Sequence, residues 1–236
     1  MTETRGSPLI QAIAGGVIGS ALTAAGLLLA GPQLISGKIV RQAMLEDPQI
    51  LVDAANVLQD RQYAPTLNTA RAQIETPFAS SWKGAEKPEV VLVEFYDYAC
   101  PYCKASNPHV DQLVRENPKL RVVYRELPIL GPNSIEAARL SLAASKAGRF
   151  QQFHDALYAA GRPAPDTNAA AARIANIPAK PAEDAAIEAE LKKNFQLASQ
   201  LGASGTPLFV VGDRVLSGAV GYDALKQAIE DAQKKS

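Results

Sequence analysis

The sequence predicts an α/β fold built in the order βαβ, a helical insert, then ββα. Three observations carry this. Glu89–Tyr98 (EVVLVEFYDY) is apolar on both of its faces, the pattern of a central strand covered on two sides. Pro101–Glu116 reads as a helix and leads into a second strand, Leu120–Leu127 (LRVVYREL), so the two strands are expected to run parallel. After Thr206-Pro207, the segments Leu208–Val211 and Val215–Leu216 flank a Gly212-Asp213 turn and form a hairpin pattern, and Tyr222–Gln233 closes the chain as a helix.

The remaining segments fall around this frame. Between strand and hairpin, residues 134–147, 149–160, 167–176 and 183–201 are Ala-rich helical stretches broken by Gly and Pro, giving an insert at about 133–200. At the other end, Gly6 to Gly37 carries no charge, and Leu9–Ala30 is almost wholly apolar or small. About 20 such residues span the hydrocarbon core of a bilayer, whereas the apolar region of a signal peptide has about 7–15. Residues 1–37 are therefore expected to be a membrane anchor or a signal peptide, with length favouring the anchor. Either places the rest of the chain outside the cytoplasm.

Residues 38–65 read as a separate helical segment. Asp47-Pro48 is a helix start, with Asp as cap and Pro at the first helical position. Ile50, Leu51, Ala54, Val57 and Leu58 then form one apolar stripe that so short a segment cannot bury by itself. It must dock on the main domain, on another copy, or on membrane; assembly into a homo-oligomer is the expectation. Residues 66–88, with Pro77, Pro88, Ser80, Ser81 and Gly84, read as a linker, and Phe78 and Trp82 as aromatics packed on the domain that fills residues 89–236.

Composition excludes several classes of function. The 236 residues hold 24 Lys and Arg against 24 Asp and Glu, so no basic excess exists to neutralise phosphates, and no nucleic-acid partner is expected. The only two cysteines, Cys100 and Cys103, sit three positions apart, unlike the spread cysteines of a stapled scaffold. The two histidines, His109 and His154, lack zinc-ligand spacing; no metal site and no cofactor is expected, and both read as surface or packing residues.

Chemistry concentrates at Cys100-Pro101-Tyr102-Cys103. Cys100 falls where the strand gives way to the helix, with Pro101 at the first helical position. Free N–H groups and the positive end of the helix dipole there favour a thiolate, the attacking species in thiol–disulfide exchange. Cys103 lies one turn on, in place to resolve a mixed disulfide formed at Cys100. Glu94, the odd residue in the apolar strand, sits six residues before Cys100; a buried carboxyl has a raised pKa and can exchange protons with the second thiol. Thr206-Pro207 precedes the hairpin, where a proline can be cis and bring bare backbone close to another site.

Residues 89–232 resemble the DsbA-like branch of the thioredoxin superfamily. The resemblance rests on Val93-Glu94-Phe95-Tyr96-Asp97-Tyr98-Ala99-Cys100-Pro101-Tyr102-Cys103, the helical insert, and Gly205-Thr206-Pro207 with Phe209-Val210-Val211-Gly212-Asp213. It implies a thioredoxin fold, with Cys100 as nucleophile, Cys103 as resolving thiol, Glu94 as buried acid and Pro207 as cis-proline. The helical piece with Met44-Leu45-Glu46-Asp47-Pro48 is similar to the N-terminal segment of the suppressor-of-copper-sensitivity C proteins, a segment that can drive oligomerisation.

The implied activity is thiol–disulfide exchange in cysteine-containing exported proteins in the periplasm, served by a membrane or soluble redox partner. Pro101-Tyr102 stands where the strongly oxidising type has Pro-His, and Thr206 looks more like the isomerase types. Isomerase or reductase is therefore expected over oxidase. Two other classes compete: a Cu(I)-binding module using the two cysteines, and a binding scaffold, which would need neither Glu94 nor Thr206-Pro207.

Overall fold

The computed structural model describes residues 37–180 and 183–235. The chain divides into two compact units, residues 1–57 and 58–236. The apolar run at 9–30 lies outside the described residues, and no helix among them is long and apolar enough to cross a membrane.

The described part of the first unit holds helix α1 (37–46) and the start of helix α2 (Gln49–Glu75), whose residues from Leu58 on belong to the second unit. Asp47 Oδ1 accepts the Gln49 N–H at 3.1 Å, satisfying one of the free donors of the helix start. Leu45, Ile50, Leu51 and Val57 are all exposed.

The second unit is built on a five-stranded sheet in the order β1-β3-β2-β4-β5. Strand β1 is Trp82–Gly84, β2 is Val90–Tyr96, β3 is Leu120–Glu126, β4 is Leu208–Val211 and β5 is Arg214–Ser217. The pair β2 and β3 is parallel, and helix α3 (Pro101–Glu116) crosses between them. All other pairings are antiparallel. Helices α4 (Pro132–Lys146), α5 (Phe150–Ala160), α6 (Pro165–Ile174) and α7 (Ala185–Gln200) form the insert, and α8 (Gly221–Lys235) ends the chain. From β2 onward the expected βαβ, insert, ββα order is the order observed; strand β1 precedes it and was not expected.

Side chains alternate across β2, so both faces need cover. Val90, Leu92 and Tyr96 face α3, α8 and the insert helices α4–α6, where Val110, Leu113, Leu140, Phe153 and Leu157 complete one core. Val93 and Phe95 face a second core with Leu67, Ala70 and Ile74 of α2 and Leu197 and Ala198 of α7. Fully burying one such large apolar side chain is worth about 1.5–3 kcal/mol. Strand β1 approaches β3 so closely that a Cβ at Gly84 would lie 2.3 Å from the Leu120 carbonyl oxygen, and φ there is +98°. Only glycine meets both demands.

The second core corrects the expected linker at 66–88. Residues 66–75 are the last turns of α2, and residues 82–84 are β1. An interior proline costs a helix roughly 3 kcal/mol. Here the helix continues through Pro65. Burial of Leu67, Ala70 and Ile74 beyond it outweighs that cost. Two arginines secure the packing. Arg71 donates to the Gly212 carbonyl at 2.6 Å and to Asp213 Oδ1 at 2.8 Å, fastening α2 to the β4–β5 turn. Arg125, on β3, is almost wholly buried. It donates to Glu190 Oε1 at 2.6 Å, to Asn194 Oδ1 at 3.0 Å and to the Ile74 carbonyl at 3.0 Å. It also reaches the carbonyls of Gln73 and Thr76, at the C-terminal end of α2 where helix carbonyls lack partners.

Removing one member of a buried ion pair leaves the other charge uncompensated. Glu190→Ala should therefore lower stability by about 3–5 kcal/mol in urea unfolding. A loss below about 1 kcal/mol, the range of exposed pairs, would show that Arg125 does not depend on Glu190.

Candidate active site

The C-terminal end of β2 delivers the site. After Tyr96 the chain turns through Asp97, Tyr98 and Ala99, and Cys100 takes the N-cap of α3 with extended backbone (φ −79°, ψ 118°) and Pro101 behind it. The proline fits because the first helical N–H has no intrahelical partner in any case. The Cys100 N–H donates to the Asp97 carbonyl at 3.0 Å. Strand β4 pairs antiparallel with β2, and the residues preceding it, joined by a cis Thr206-Pro207 peptide, lie against the cysteines. The Cys100 thiol donates to the Thr206 carbonyl at 3.2 Å.

The two cysteines, both free thiols, occupy different surroundings. Both are buried: Cys100, at the helix end, is 5% exposed and Cys103 0%. Burial pushes the Cys103 thiol well above its ordinary range, and the charge of Glu94 adds to this. Hydrogen bonds with the Asp97 main chain and the Thr206 side chain act the other way. Tyr102, between the cysteines in sequence, points to solvent with 63% exposure.

Glu94 lies opposite Tyr124 on β3 and Phe209 on β4. It is 1% exposed, and neither carboxyl oxygen has a hydrogen-bond partner. Burial raises its pKa to about 8, with the negative charges of Cys100 and Asp111 adding to the effect. Buried polar groups are nearly always partnered, so a partnerless carboxyl calls for an explanation. A group that must take and release a proton near neutral pH is one.

Structure thus brings Glu94, Cys100, Pro101, Cys103, Thr206 and Pro207 together at the C-terminal end of the central strand β2, with Tyr102 exposed beside them. His109 is half-buried on α3. His154 is buried on α5, its Nδ1 3.2 Å from the Tyr98 hydroxyl, and burial, with the charge of Lys83 adding, lowers its pKa to about 3. Among the described residues no group of three or more His, Cys, Asp or Glu could hold a metal ion.

Sequence reading missed two features. Asp97 is buried, and its carboxylate accepts the N–H groups of Ala99, Ile129 and Leu130, each at 2.8 Å. Behind it, Tyr96 donates to Glu126, and Tyr98 joins Tyr96, Ser141 and His154 in one buried hydrogen-bonded cluster. Burial raises the Glu126 carboxyl to about 8 even though Ser141 and Tyr96 donate to it. Asp97 stood inside a recognisable motif, but its bonds reach 32 and 33 residues along the chain, beyond any local pattern.

Comparison with known proteins agrees with this architecture. The family model of the DSBA-like thioredoxin domain matches residues 91–230, and that of the copper resistance protein ScsC N-terminal domain matches residues 37–64. A periplasmic thioredoxin-like protein from Salmonella enterica serovar Typhimurium is 30% identical, with a TM-score of 0.65 over 71% of this chain and 97% of that one. ScsC of Proteus mirabilis, in a transitional conformation, is 28% identical, with a TM-score of 0.67 over 88% of this chain and 97% of that one. The Na(+)/H(+) antiporter NhaA 3 of Salinispora tropica is 31% identical over 158 residues, which are 64% of this chain but only 24% of that protein's length.

The Glu94 carboxyl gives a pH test. Its folded pKa of about 8 lies above the ordinary 4.5, so between these values the folded chain holds a proton that the unfolded chain has lost. Its contribution to stability is complete below pH 4.5 and is lost as pH rises through about 8. Glu94→Gln should flatten that decline, gaining roughly 4 kcal/mol relative to the parent between pH 5 and 8.5. Glu126 retains its own share of the slope. Parallel stability curves for parent and variant would show that Glu94 is not held neutral.

Proposed function

The chain belongs to the DSBA-like thioredoxin domain family, and from that premise we propose that it is a thiol–disulfide oxidoreductase acting on exported, cysteine-containing proteins. One observation carries the reading. Cys100 caps α3 and Cys103 lies in its first turn, both buried, and Glu94, partnerless and buried, is near enough for its charge to act on both thiols. Cys100 attacks a client disulfide, forming a mixed disulfide and expelling one client thiolate. Glu94, in the ionised form available near its pKa of about 8, takes the Cys103 proton as the Cys103 sulfur attacks Cys100, closing the Cys100–Cys103 disulfide and releasing the second client thiolate. The client is reduced by two electrons and the cysteine pair is oxidised by two. Run backwards, the same steps oxidise a client. The Thr206 carbonyl and Pro207 border this reaction, offering bare backbone to the client chain.

We favour isomerisation or reduction over oxidation. Tyr102 supplies no cationic help to a Cys100 thiolate, and a less stabilised thiolate gives a less stable reduced form and a less oxidising pair. The place of work is outside the cytoplasm. The apolar run at 9–30 supports this, as does the periplasmic relative from Salmonella. Re-reduction falls to a membrane or soluble redox partner.

The test uses purified protein with scrambled and reduced ribonuclease. Scrambled enzyme should regain activity with a little reductant present, and rapid oxidation of the reduced form alone would overturn the preferred direction. Cys100→Ser should abolish exchange, whereas Cys103→Ser should accumulate mixed disulfides with clients. If the Cys103→Ser protein is the unreactive one, the roles of the two cysteines are reversed.

Assembly is a second part of the proposal. Leu45, Ile50, Leu51 and Val57 are exposed in the segment that matches the ScsC N-terminal domain, and a copy of the same segment would cover them. Leu45→Glu with Leu51→Glu should reduce the particle to a single chain in light scattering. An unchanged mass would leave the helical segment without a role in assembly.

A further inference from the structure

Glu94 is not alone as a partnerless polar group facing the core around the cysteines. The Tyr158 hydroxyl, on α5, is buried and has no hydrogen bond either. Tyr158 packs in the same core as Cys100 and Cys103, with its ring centroid 5.0 Å from that of Tyr98 and 4.9 Å from that of His154. Glu94 faces this core too. It stands between Leu92 and Tyr96 on one face of β2 and opposite Tyr124 on β3, and all three belong to the core. A donor without an acceptor and an acceptor without a donor therefore share one apolar space, where leaving either unpaired is costly.

Burial pushes the Tyr158 hydroxyl well above its ordinary range, and the charges of Glu94 and Cys103 add to this. It therefore keeps its proton and stands as a donor within reach of both charges. Tyr98 and Glu126 act on it as well, but both are engaged, Tyr98 with Ser141 and His154, and Glu126 with Tyr96. Glu94 accepts nothing. From α3 and its cap Glu94 faces Cys100, Cys103 and Asp111, and Asp111 pairs with Lys83 of β1 at 2.5 Å. From β4 it meets Phe209, and the buried residues that α8 brings to this core, Leu225, Ala228 and Ile229, are apolar. Lys83, the cation of this group, is taken by Asp111, so an ionised Glu94 must be held by a neutral donor.

We propose that Tyr158 is a positioning residue for the exchange reaction, its hydroxyl donating a hydrogen bond to the Glu94 carboxylate in the state in which that carboxylate takes the Cys103 proton. The proposal rests on the oxidoreductase reading and deepens it. In the closing step the Cys103 S–H bond breaks and its proton passes to a Glu94 oxygen. The Cys103 sulfur bonds to the Cys100 sulfur, and the client sulfur leaves with the electron pair of the broken mixed disulfide. Tyr158 keeps its own proton throughout. It raises the share of Glu94 that is ionised, and so ready to act as base, before the step begins.

The experiment follows the Glu94 carboxyl in the reduced full chain labelled with 13C at glutamate, its resonance assigned by its loss in Glu94→Gln. Tyr158→Phe removes the hydroxyl and keeps the ring. It should raise the Glu94 titration midpoint by about one pH unit, because a hydrogen bond to the charged form is gone. With a disulfide-linked peptide dimer in excess, the second thiol released in a single turnover reports closure of the Cys100–Cys103 disulfide. At pH 7 this release should be about tenfold slower in Tyr158→Phe, since below the midpoint one pH unit is a tenfold loss of ionised Glu94. In the Glu94→Gln background Tyr158→Phe should add nothing.

An unmoved Glu94 midpoint in Tyr158→Phe overturns the proposal, and so does a second release slowed equally with and without Glu94. A midpoint that moves in Tyr124→Phe instead makes Tyr124 the donor and also overturns it. If Tyr158→Phe does not fold, the parent decides: its Tyr158 13Cζ resonance should shift at the Glu94 midpoint, and a resonance indifferent to Glu94 ends the proposal. A chain that releases no thiol from the peptide sinks the oxidoreductase reading, and the carboxyl titration then decides on Tyr158 separately.

Discussion

Strand β2 pairs with β3 along one edge and β4 along the other, and both of its faces carry helices. Of its seven residues only Val91 is more than slightly exposed. Whatever is placed on this strand is committed to an environment without water, and that constraint shapes the rest of the molecule. It demands apolar side chains on both faces and therefore two helical layers. It makes the one carboxyl on the strand costly when charged, which raises Glu94 to about 8. It also ends abruptly, so that the residues just past its C-terminal end leave the sheet, and Cys100 there begins a helix.

Buried polar groups in this domain fall into two kinds. Arg125 and Asp97 are fully satisfied, the first by Glu190, Asn194 and helix carbonyls, the second by three backbone N–H groups. Each ties together segments remote in sequence. Glu94 is the opposite case, with no partner for either oxygen. A satisfied carboxylate of the Asp97 kind is a fastening, because taking it apart exposes several unmatched donors. A partnerless one is free to change protonation without breaking any bond. The two acids stand three residues apart on one chain segment, yet their surroundings suit them to different work.

The cluster of Tyr96, Tyr98, Glu126, Ser141 and His154 extends the satisfied kind into the insert. It joins the ends of β2 and β3 to α4 and α5, immediately before the reactive turn. The rings of Tyr98 and Tyr158 lie 5.0 Å apart, and those of His154 and Tyr124 4.8 Å apart, so the cluster is packed as well as hydrogen-bonded. The insert is thereby a wall of the same core that holds Cys103.

The sequence by itself determined the elements whose signals are local. The two-faced apolar run of β2, the cysteines at its exit, the parallel β2–α3–β3 unit and the β4–β5 hairpin were all legible, because strand and helix periodicities act over a few residues. Helix starts were legible for the same reason, through Asp47-Pro48 and Cys100-Pro101. What only the tertiary structure decided depends on contacts between distant residues. Residues 66–75 read as a linker until Leu67, Ala70 and Ile74 find a core to enter. Arg125 reads as an ordinary strand residue until α2 and α7 close around it. Asp97 reads as part of a motif until its carboxylate meets Ile129 and Leu130. A local pattern records which face of an element is apolar, but which buried charge finds a partner is settled only when the elements pack.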